Sequence, residues 1–317
     1  MSAGSTCCFE ATTDRLADEL RTDLGSGRSA VEALNRKIFG VPGVRASADL
    51  RDPCNLLPSR VLERKQGYCV GIAALYLVIA ERLGVPIYAV ATPSHVFLRY
   101  DDGKTRINIE TLQNGASVPD ERYIREQKIP ESSIHRGIFM RNLTTEEFLA
   151  QVHNNLGVVY SERKDYVAAA KEYEAALGLD PRLPAAHYNY GNDLFRTGDH
   201  RRAKRLFSKS LPLYSTDVWA LNNHGLAYLK MGNREGARRD FEEALRIDPG
   251  FEQARRSLQA VSVDDARRIS RGRRNVSPGL FRCPVQGVRG GFWRLQPWVS
   301  GALAWLHVLG LSLHMRP

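Results

Sequence analysis

Residues 218–251 have the sequence VWALNNHGLAYLKMGNREGARRDFEEALRIDPGF, and this stretch decides the fold of the second half of the chain. Two further blocks of the same length and pattern precede it, at 150–183 and 184–217. Every block has glycine at its eighth position, alanine at its twentieth and an aromatic residue at its twenty-fourth, namely Gly157, Gly191, Gly225, Ala169, Ala203, Ala237, Tyr173, Phe207 and Phe241. This period predicts stacked helix–turn–helix units, in which small residues let paired helices approach and the aromatic ring fills the gap.

The period and its signature residues resemble the tetratricopeptide repeat. The resemblance implies a concave surface that binds a peptide or a partner protein. Asparagine recurs at the sixth position of each block, on the helix expected to line that surface, at Asn155, Asn189 and Asn223. We interpret these residues as a peptide-binding ladder, because each carboxamide offers a donor and an acceptor to an extended backbone. A chance recurrence of polar residues is the alternative.

The segment before the repeats combines a buried helix with a hairpin. Residues 70–83 are apolar on almost every face, which predicts a buried helix ending at Gly84. Two strand signals follow, and the Asp102-Gly103 pair between them predicts a hairpin turn. In the register of a two-residue turn, His95 faces Glu110 at hydrogen-bonding range.

The same register also has a cost. It places Arg99 opposite Arg106, and facing like charges repel each other. We expect it nonetheless, because it collects apolar side chains on one face and the His95–Glu110 pair on the other.

A cysteine stands where the buried helix begins, in Gly67-Tyr68-Cys69-Val70-Gly71. The first N–H groups of a helix and the positive end of its dipole stabilise a thiolate there. A buried, inert cysteine is the alternative interpretation. Together with the hairpin pair, Cys69 supplies the parts of a nucleophile site. In it, His95 moves the proton and Glu110 orients the imidazole.

Cysteine at a helix start, histidine on one strand and an acidic residue on the next strand resemble the transglutaminase-like superfamily, in its bacterial branch with a compact core. The residues that carry the resemblance are 60–69, 93–97 and 107–110. It implies a papain-like α+β domain that transfers acyl groups from amides or esters to water or an amine. The triad of the family then falls on Cys69, His95 and Glu110, with Glu where Asp is usual. The second oxyanion donor stays open between Asn55 and Gln66.

Charge and cysteine content bound the remaining possibilities. The chain has 317 residues, five cysteines and a net charge of +10, but residues 266–317 hold nine arginines and no acidic residue. The rest of the chain is nearly neutral, so we expect no nucleic-acid partner. Few, unevenly spaced cysteines and the lack of a secretory signal favour a reducing, cytoplasmic location. Without a CxxC pair, a Cys/His cluster or a glycine-rich phosphate loop, we expect no metal and no cofactor.

Three segments follow from these patterns. We predict a transglutaminase-like α+β domain at 25–142, three repeats with a capping helix at 143–268, and a disordered tail at 269–317. A membrane anchor and a terminus translated in another reading frame are alternatives for the tail, because 295–315 lack charged side chains. The predicted function is cysteine-dependent acyl transfer with a protein-binding module. A non-catalytic scaffold is the alternative, and the oligomeric state is left open.

Overall fold

The structure is a computed structural model, and it describes residues 3–22, 24, 27–47 and 52–272. The predicted tail lies outside the described residues from 273 onward. The helices are α1 (Ala3–Arg21), α2 (Arg28–Phe39), α3 (Pro58–Arg64), α4 (Cys69–Leu83), α5 (Asp120–Glu126), α6 (Glu131–His135), α7 (Thr145–Glu162), α8 (Tyr166–Leu179), α9 (Pro184–Arg196), α10 (His200–Ser210), α11 (Val218–Lys230), α12 (Arg234–Ile247) and α13 (Glu252–Gly272). The strands are β1 (Arg45–Ala46), β2 (Gln66–Gly67), β3 (Ile87–Ala91), β4 (Val96–Asp101) and β5 (Arg106–Ile109).

The first domain is built around α4. This helix is buried on nearly all sides because its side chains are apolar on nearly all faces. It ends at Gly84, which adopts the left-handed backbone conformation of a helix C-cap, as predicted. Strands β3, β4 and β5 form an antiparallel sheet in that order, and Leu98 and Ile109 on one of its faces join the core around α4.

The register of the hairpin differs from the prediction. Arg99 pairs with Asn108 and Asp101 pairs with Arg106, which is a shift of two residues. This register removes the facing arginines, because Arg99 Nε donates to Asn108 Oδ1 at 2.8 Å and Arg106 Nε lies 2.9 Å from Asp101 Oδ2. A shift of two keeps every side chain on its predicted face, since side chains alternate with period two.

The repeats form the helix pairs α7–α8, α9–α10 and α11–α12, followed by α13. The predicted role of their small residues is confirmed. A Cβ added at Gly191 would lie 2.7 Å from the Phe207 ring, and the equivalent distances in the other two blocks are 2.3 and 2.6 Å. The recurring alanines are fully buried.

The two halves of the chain share helix α7. Phe148, Leu149 and Val152 of this helix belong to the core around α4, although α7 is also the first helix of the repeats. The predicted boundary between residues 142 and 143 stays a prediction.

A second contact between the halves is made by the segment between α10 and α11. Leu213 joins an apolar cluster of the first domain, and the Tyr214 hydroxyl donates to the Gln127 carbonyl at 3.0 Å. Thr216 Oγ1 donates to the Lys128 carbonyl at 2.9 Å. The repeat stack therefore contacts the first domain through both α7 and this connecting segment.

Two glycine substitutions test the packing of the repeats. We expect Gly191→Ala to lower the free energy of unfolding by about 1–3 kcal/mol, because the added methyl group displaces the Phe207 ring. Gly178→Ala is the matched control, since an added Cβ there meets no atom within 4 Å and α8 gains a better helix former. It should raise stability by up to about 1 kcal/mol. Urea unfolding of the full chain measures both, and equal effects would contradict the packing argument.

Candidate active site

Cys69 is the first residue of α4 and is fully buried. Two glycines let the chain around it pack closely. A Cβ at Gly71 would lie 2.5 Å from the Asn55 carbonyl oxygen, and one at Gly67 would lie 2.6 Å from the Val61 side chain. The helix start is therefore pressed against the segment 53–56, and the Tyr68 N–H donates to the Asn55 carbonyl at 2.7 Å.

His95 and Glu110 form the pair that the sequence predicted. His95 Nε2 lies 2.8 Å from both carboxylate oxygens of Glu110. In the observed register these two residues are diagonal neighbours on one face of the sheet, so the longer Glu side chain spans the extra separation. A tight turn fixes the histidine, because the Thr92 N–H and hydroxyl donate to the His95 carbonyl at 2.8 and 3.0 Å.

The carboxylate of Glu110 is held by two further donors. The Leu112 N–H donates to Oε1 at 3.0 Å, and the Tyr123 hydroxyl donates to Oε2 at 2.7 Å. The Tyr123 ring stacks on Phe97 with ring centroids 4.4 Å apart, which positions the hydroxyl. Burial and the Glu110 carboxylate raise the pKa of Tyr123, so it stays a protonated donor.

The side chain of Cys69 also interacts with the imidazole, because a hydrogen bond to Cys69 contributes to the raised pKa of His95. The same ring binds Glu110 through Nε2. The structure thus brings Cys69, His95 and Glu110 together in the order thiol, imidazole, carboxylate. This order is that of a thiol nucleophile with a braced general base.

The electrostatics of the pair favour an ionised imidazolium. Burial lowers the pKa of His95, but its hydrogen bonds to and electrostatic interactions with Cys69 and Glu110 outweigh burial and raise the pKa to about 10. Burial alone would raise the pKa of Glu110, whereas the hydrogen bond and charge of His95 hold it below its usual range. Both groups are therefore charged at neutral pH.

Comparisons with known proteins identify the families that the two halves of the chain match. Residues 9–154 match the family model described as Transglutaminase-like superfamily, and 150–183 and 182–249 match tetratricopeptide repeat models. A UPF0162 protein of Xylella fastidiosa (strain 9a5c) is 30% identical over 220 residues, which cover 68% of this chain and 67% of the relative. The chain belongs to the transglutaminase-like superfamily. Its predicted fold class, a transglutaminase-like domain followed by tetratricopeptide repeats, is confirmed.

More distant matches have lower identity. A UPF0162 protein of Pseudomonas aeruginosa is 24% identical over 165 residues, covering 52% of this chain and 60% of the relative. The first tetratricopeptide domain of Spaghetti (RPAP3), solved with an HSP90 peptide, aligns at 22% identity over 39% of this chain and 97% of that chain, with a TM-score of 0.37.

Asn55 and Gln66 are the two alternatives for the second oxyanion donor, and the structure shows which groups their amides bind. Asn55 Nδ2 donates to Ser47 Oγ at 2.9 Å, and Gln66 Nε2 donates to the same oxygen at 2.7 Å. Both amides proposed from the sequence therefore converge on Ser47, next to the chain that leads into Cys69.

The three asparagines predicted to bind peptide are not equivalent. Asn155 is fully buried, and its amide donates to the Gln151 carbonyl within its own helix. Asn189 Nδ2 donates to Asn154 Oδ1 at 3.0 Å, and Asn223 Nδ2 donates to Asn192 Oδ1 at 2.7 Å. The amides of Asn189 and Asn223 therefore link neighbouring repeats. The peptide-binding role of all three asparagines stays a prediction.

A serine, a histidine and an aspartate that sequence reasoning missed also meet in the repeats. Ser208 Oγ lies 2.9 Å from His224 Nε2, and His224 Nδ1 lies 2.9 Å from Asp240 Oδ2. Ser208 sits inside α10, where backbone N–H groups are used by the helix itself rather than for an oxyanion. We interpret the set as packing between repeats, like the 2.7 Å bond from the Tyr190 hydroxyl to Glu174 one repeat earlier.

Two negative findings apply to the described part of the chain. None of its helices has the length and apolar character needed to span a membrane. Its His, Cys, Asp and Glu side chains form no group of three that suits a metal ion.

The pH dependence of stability tests the charged pair. The pKa of His95 in the folded chain lies above its ordinary value of about 6.5. The stabilising contribution of the charged pair is therefore fully present below about pH 6.5. The contribution is lost as the pH rises through about 10. In urea unfolding of the full chain, the difference between wild type and His95→Gln should shrink over this range.

Glu110→Gln provides the control for this experiment. It removes a charge that raises the pKa of His95, so the loss of stability should move to lower pH. A difference between wild type and His95→Gln that does not change with pH would contradict a charged His95.

Proposed function

We propose that this chain is a cysteine-dependent acyl-transfer enzyme in which Cys69 is the nucleophile, His95 transfers the proton and Glu110 orients the imidazole. The observation that carries the proposal is the continuous chain of contacts from thiol to imidazole to carboxylate at the start of a buried helix. A structural histidine is satisfied by Glu110 alone, and the added contact with a helix-start cysteine supports a catalytic role.

The first half-reaction forms a thioester. Cys69 Sγ, as thiolate, attacks the carbonyl carbon of an amide or ester, and the carbonyl electron pair moves onto oxygen. The first-turn N–H groups of α4 lack intrahelical acceptors and donate to this oxyanion in the proposed mechanism. Collapse breaks the bond to the leaving group, which takes the proton of the His95 imidazolium.

The second half-reaction releases the acyl group. Water or an amine attacks the thioester carbon while neutral His95 accepts its proton. The C–S bond then breaks, and the sulfur leaves as thiolate beside the re-formed imidazolium. Glu110 stays ionised throughout and stabilises the imidazolium in each resting state. Whichever nucleophile reaches the thioester decides between hydrolysis and transamidation.

One observation favours the second candidate function, a non-catalytic scaffold. Cys69 is fully buried, and Tyr68 beside it packs against Val159 of the first repeat. Acylation therefore requires a conformational change that exposes the sulfur, whereas a scaffold requires no access to it.

The repeats supply the interaction part of the proposal. Tetratricopeptide stacks bind polypeptides along an extended concave surface, so we propose that they recruit the acyl donor or its partner. The cytoplasmic location stays a prediction.

Acylation by 4-nitrophenyl acetate tests the enzymatic proposal. We expect a thioester on Cys69, detected by peptide mass spectrometry, and release of nitrophenolate. Cys69→Ala should abolish the adduct. His95→Ala should slow its formation by about 10²-fold or more, because the proton-transfer group is lost.

Cys54→Ala is the matched control. Cys54 is a free cysteine that is more exposed than Cys69, and burial together with Asp52 raises its pKa. Its removal should leave acylation unchanged. Equal labelling of wild type, Cys69→Ala and His95→Ala would end the enzymatic proposal. A folded wild-type chain that forms no adduct would favour the scaffold.

A further inference from the structure

A cavity of about 560 Å³ lies between the transglutaminase-like domain and the repeats. Residues 92–94 and 126–128 form part of the wall on the domain side. The opposite wall includes the first helices of the repeats, with Asn189, Asn192 and Trp219 among its residues. Ser94 immediately precedes His95, so the cavity adjoins the loop that carries the imidazole. Pockets of this size at domain interfaces are common ligand sites.

The charges that line this interdomain cavity are mostly negative. Its six carboxylates are Glu126, Glu162, Asp180, Asp193, Asp217 and Asp248. Its three cationic side chains are Lys128, Arg182 and Arg196. Two of these cations already have carboxylate neighbours, Lys128 with Asp248 and Arg196 with Asp193, each at 3.8 Å. The lining therefore complements a positively charged ligand.

Asp193 is a lining carboxylate with a buried oxygen that lacks a hydrogen-bond partner among the described residues. Only 4% of this residue is exposed. Oδ1 accepts a hydrogen bond from the Ser161 hydroxyl at 2.6 Å, whereas the buried Oδ2 has no hydrogen-bond partner among the described residues. A buried carboxylate oxygen without a donor is costly, and a cation that reaches it recovers part of that cost.

Burial also perturbs two other carboxylates that line the cavity, Asp217 and Asp180. Burial raises the pKa of Asp193 to about 6, with Glu162 adding to the effect against Ser161 and Arg196. Burial also raises the pKa of Asp217 to about 6 despite the two N–H groups that Asp217 caps at the start of α11, and it raises the pKa of Asp180. Carboxylates perturbed by burial and gathered in one cavity are typical of a binding site.

Aromatic rings complete the lining. Tyr173, Tyr188, Tyr214, Trp219 and Phe139 all border the cavity. Rings of this kind pack against the methylene stem of a long side chain and attract a cation over their faces. Carboxylates combined with aromatic rings match an elongated side chain that ends in a positive charge.

We propose that the interdomain cavity binds a lysine or arginine side chain of a partner polypeptide, with the Asp193 carboxylate as its counter-ion. The proposal differs from the asparagine ladder, because it rests on charge and on both walls of the cavity. It also does not depend on catalysis at Cys69, since binding alone tests it.

Fluorescence anisotropy with fluorescein-labelled tetralysine, on the full chain at fixed salt, measures this site. We expect tetralysine to bind and tetraglutamate, the charge-reversed probe, not to bind. Asp193→Asn keeps the shape of the side chain and should weaken tetralysine binding by about tenfold or more, as expected for the loss of one charge-assisted contact.

Two more variants make the result specific. Glu242→Gln removes one carboxylate from an exposed position of α12 that does not line the cavity, and it should change affinity less than about twofold. Asp217→Asn serves if Asp193→Asn does not fold, because asparagine is an equally good helix N-cap, and it should also weaken binding.

Three results would overturn a cation site in this cavity altogether. They are failure of the folded wild type to bind tetralysine, equal weakening by the cavity variants and by Glu242→Gln, and preferential binding of tetraglutamate. Displacement of tetralysine by spermidine at an equal concentration of charge would assign the cavity to a free polyamine and would overturn the polypeptide assignment. None of these results depends on whether Cys69 is acylated.

Discussion

A protonated imidazole enclosed between a carboxylate and a thiol is the interaction on which the candidate site depends. Burial opposes the charge on both His95 and Glu110, and each is ionised because the other is close by. Removing one partner of such a pair leaves the other charge buried and uncompensated. The pair also joins the residue before β4 to the residue after β5, so it links the two strands next to the site.

The sequence predicted which residues meet but not the register that brings them together. Face and partner follow from alternation along a strand, and a shift of two residues leaves alternation unchanged. His95 and Glu110 therefore meet as diagonal rather than facing neighbours. The two arginines that opposed the predicted register were the signal for the correct one, because pairing Arg99 with Asn108 and Arg106 with Asp101 satisfies both. Charge pairing across strands carried information that apolar alternation did not.

Contacts between the two halves could not be read from local patterns. The connection between α10 and α11 breaks the repeat signature, since Ser215 stands where the other blocks have proline. That segment supplies Leu213 and Tyr214 to the surface of the first domain. The segment that departs from the repeat pattern is therefore also the one that contacts the first domain, but the partner surface lies about eighty residues away in sequence. The burial of Cys69 has the same origin, because it depends on packing between segments that are distant in sequence.

Shared packing links the repeats to the candidate site. Val159 of α7 contacts Tyr68, whose neighbour Cys69 begins α4, and the connecting segment of the repeats contacts Gln127, whose side chain accepts from the Ser94 N–H and hydroxyl beside His95. Both members of the thiol–imidazole pair therefore have a neighbour that the repeats contact. A ligand that binds better to one arrangement of these walls necessarily favours that arrangement.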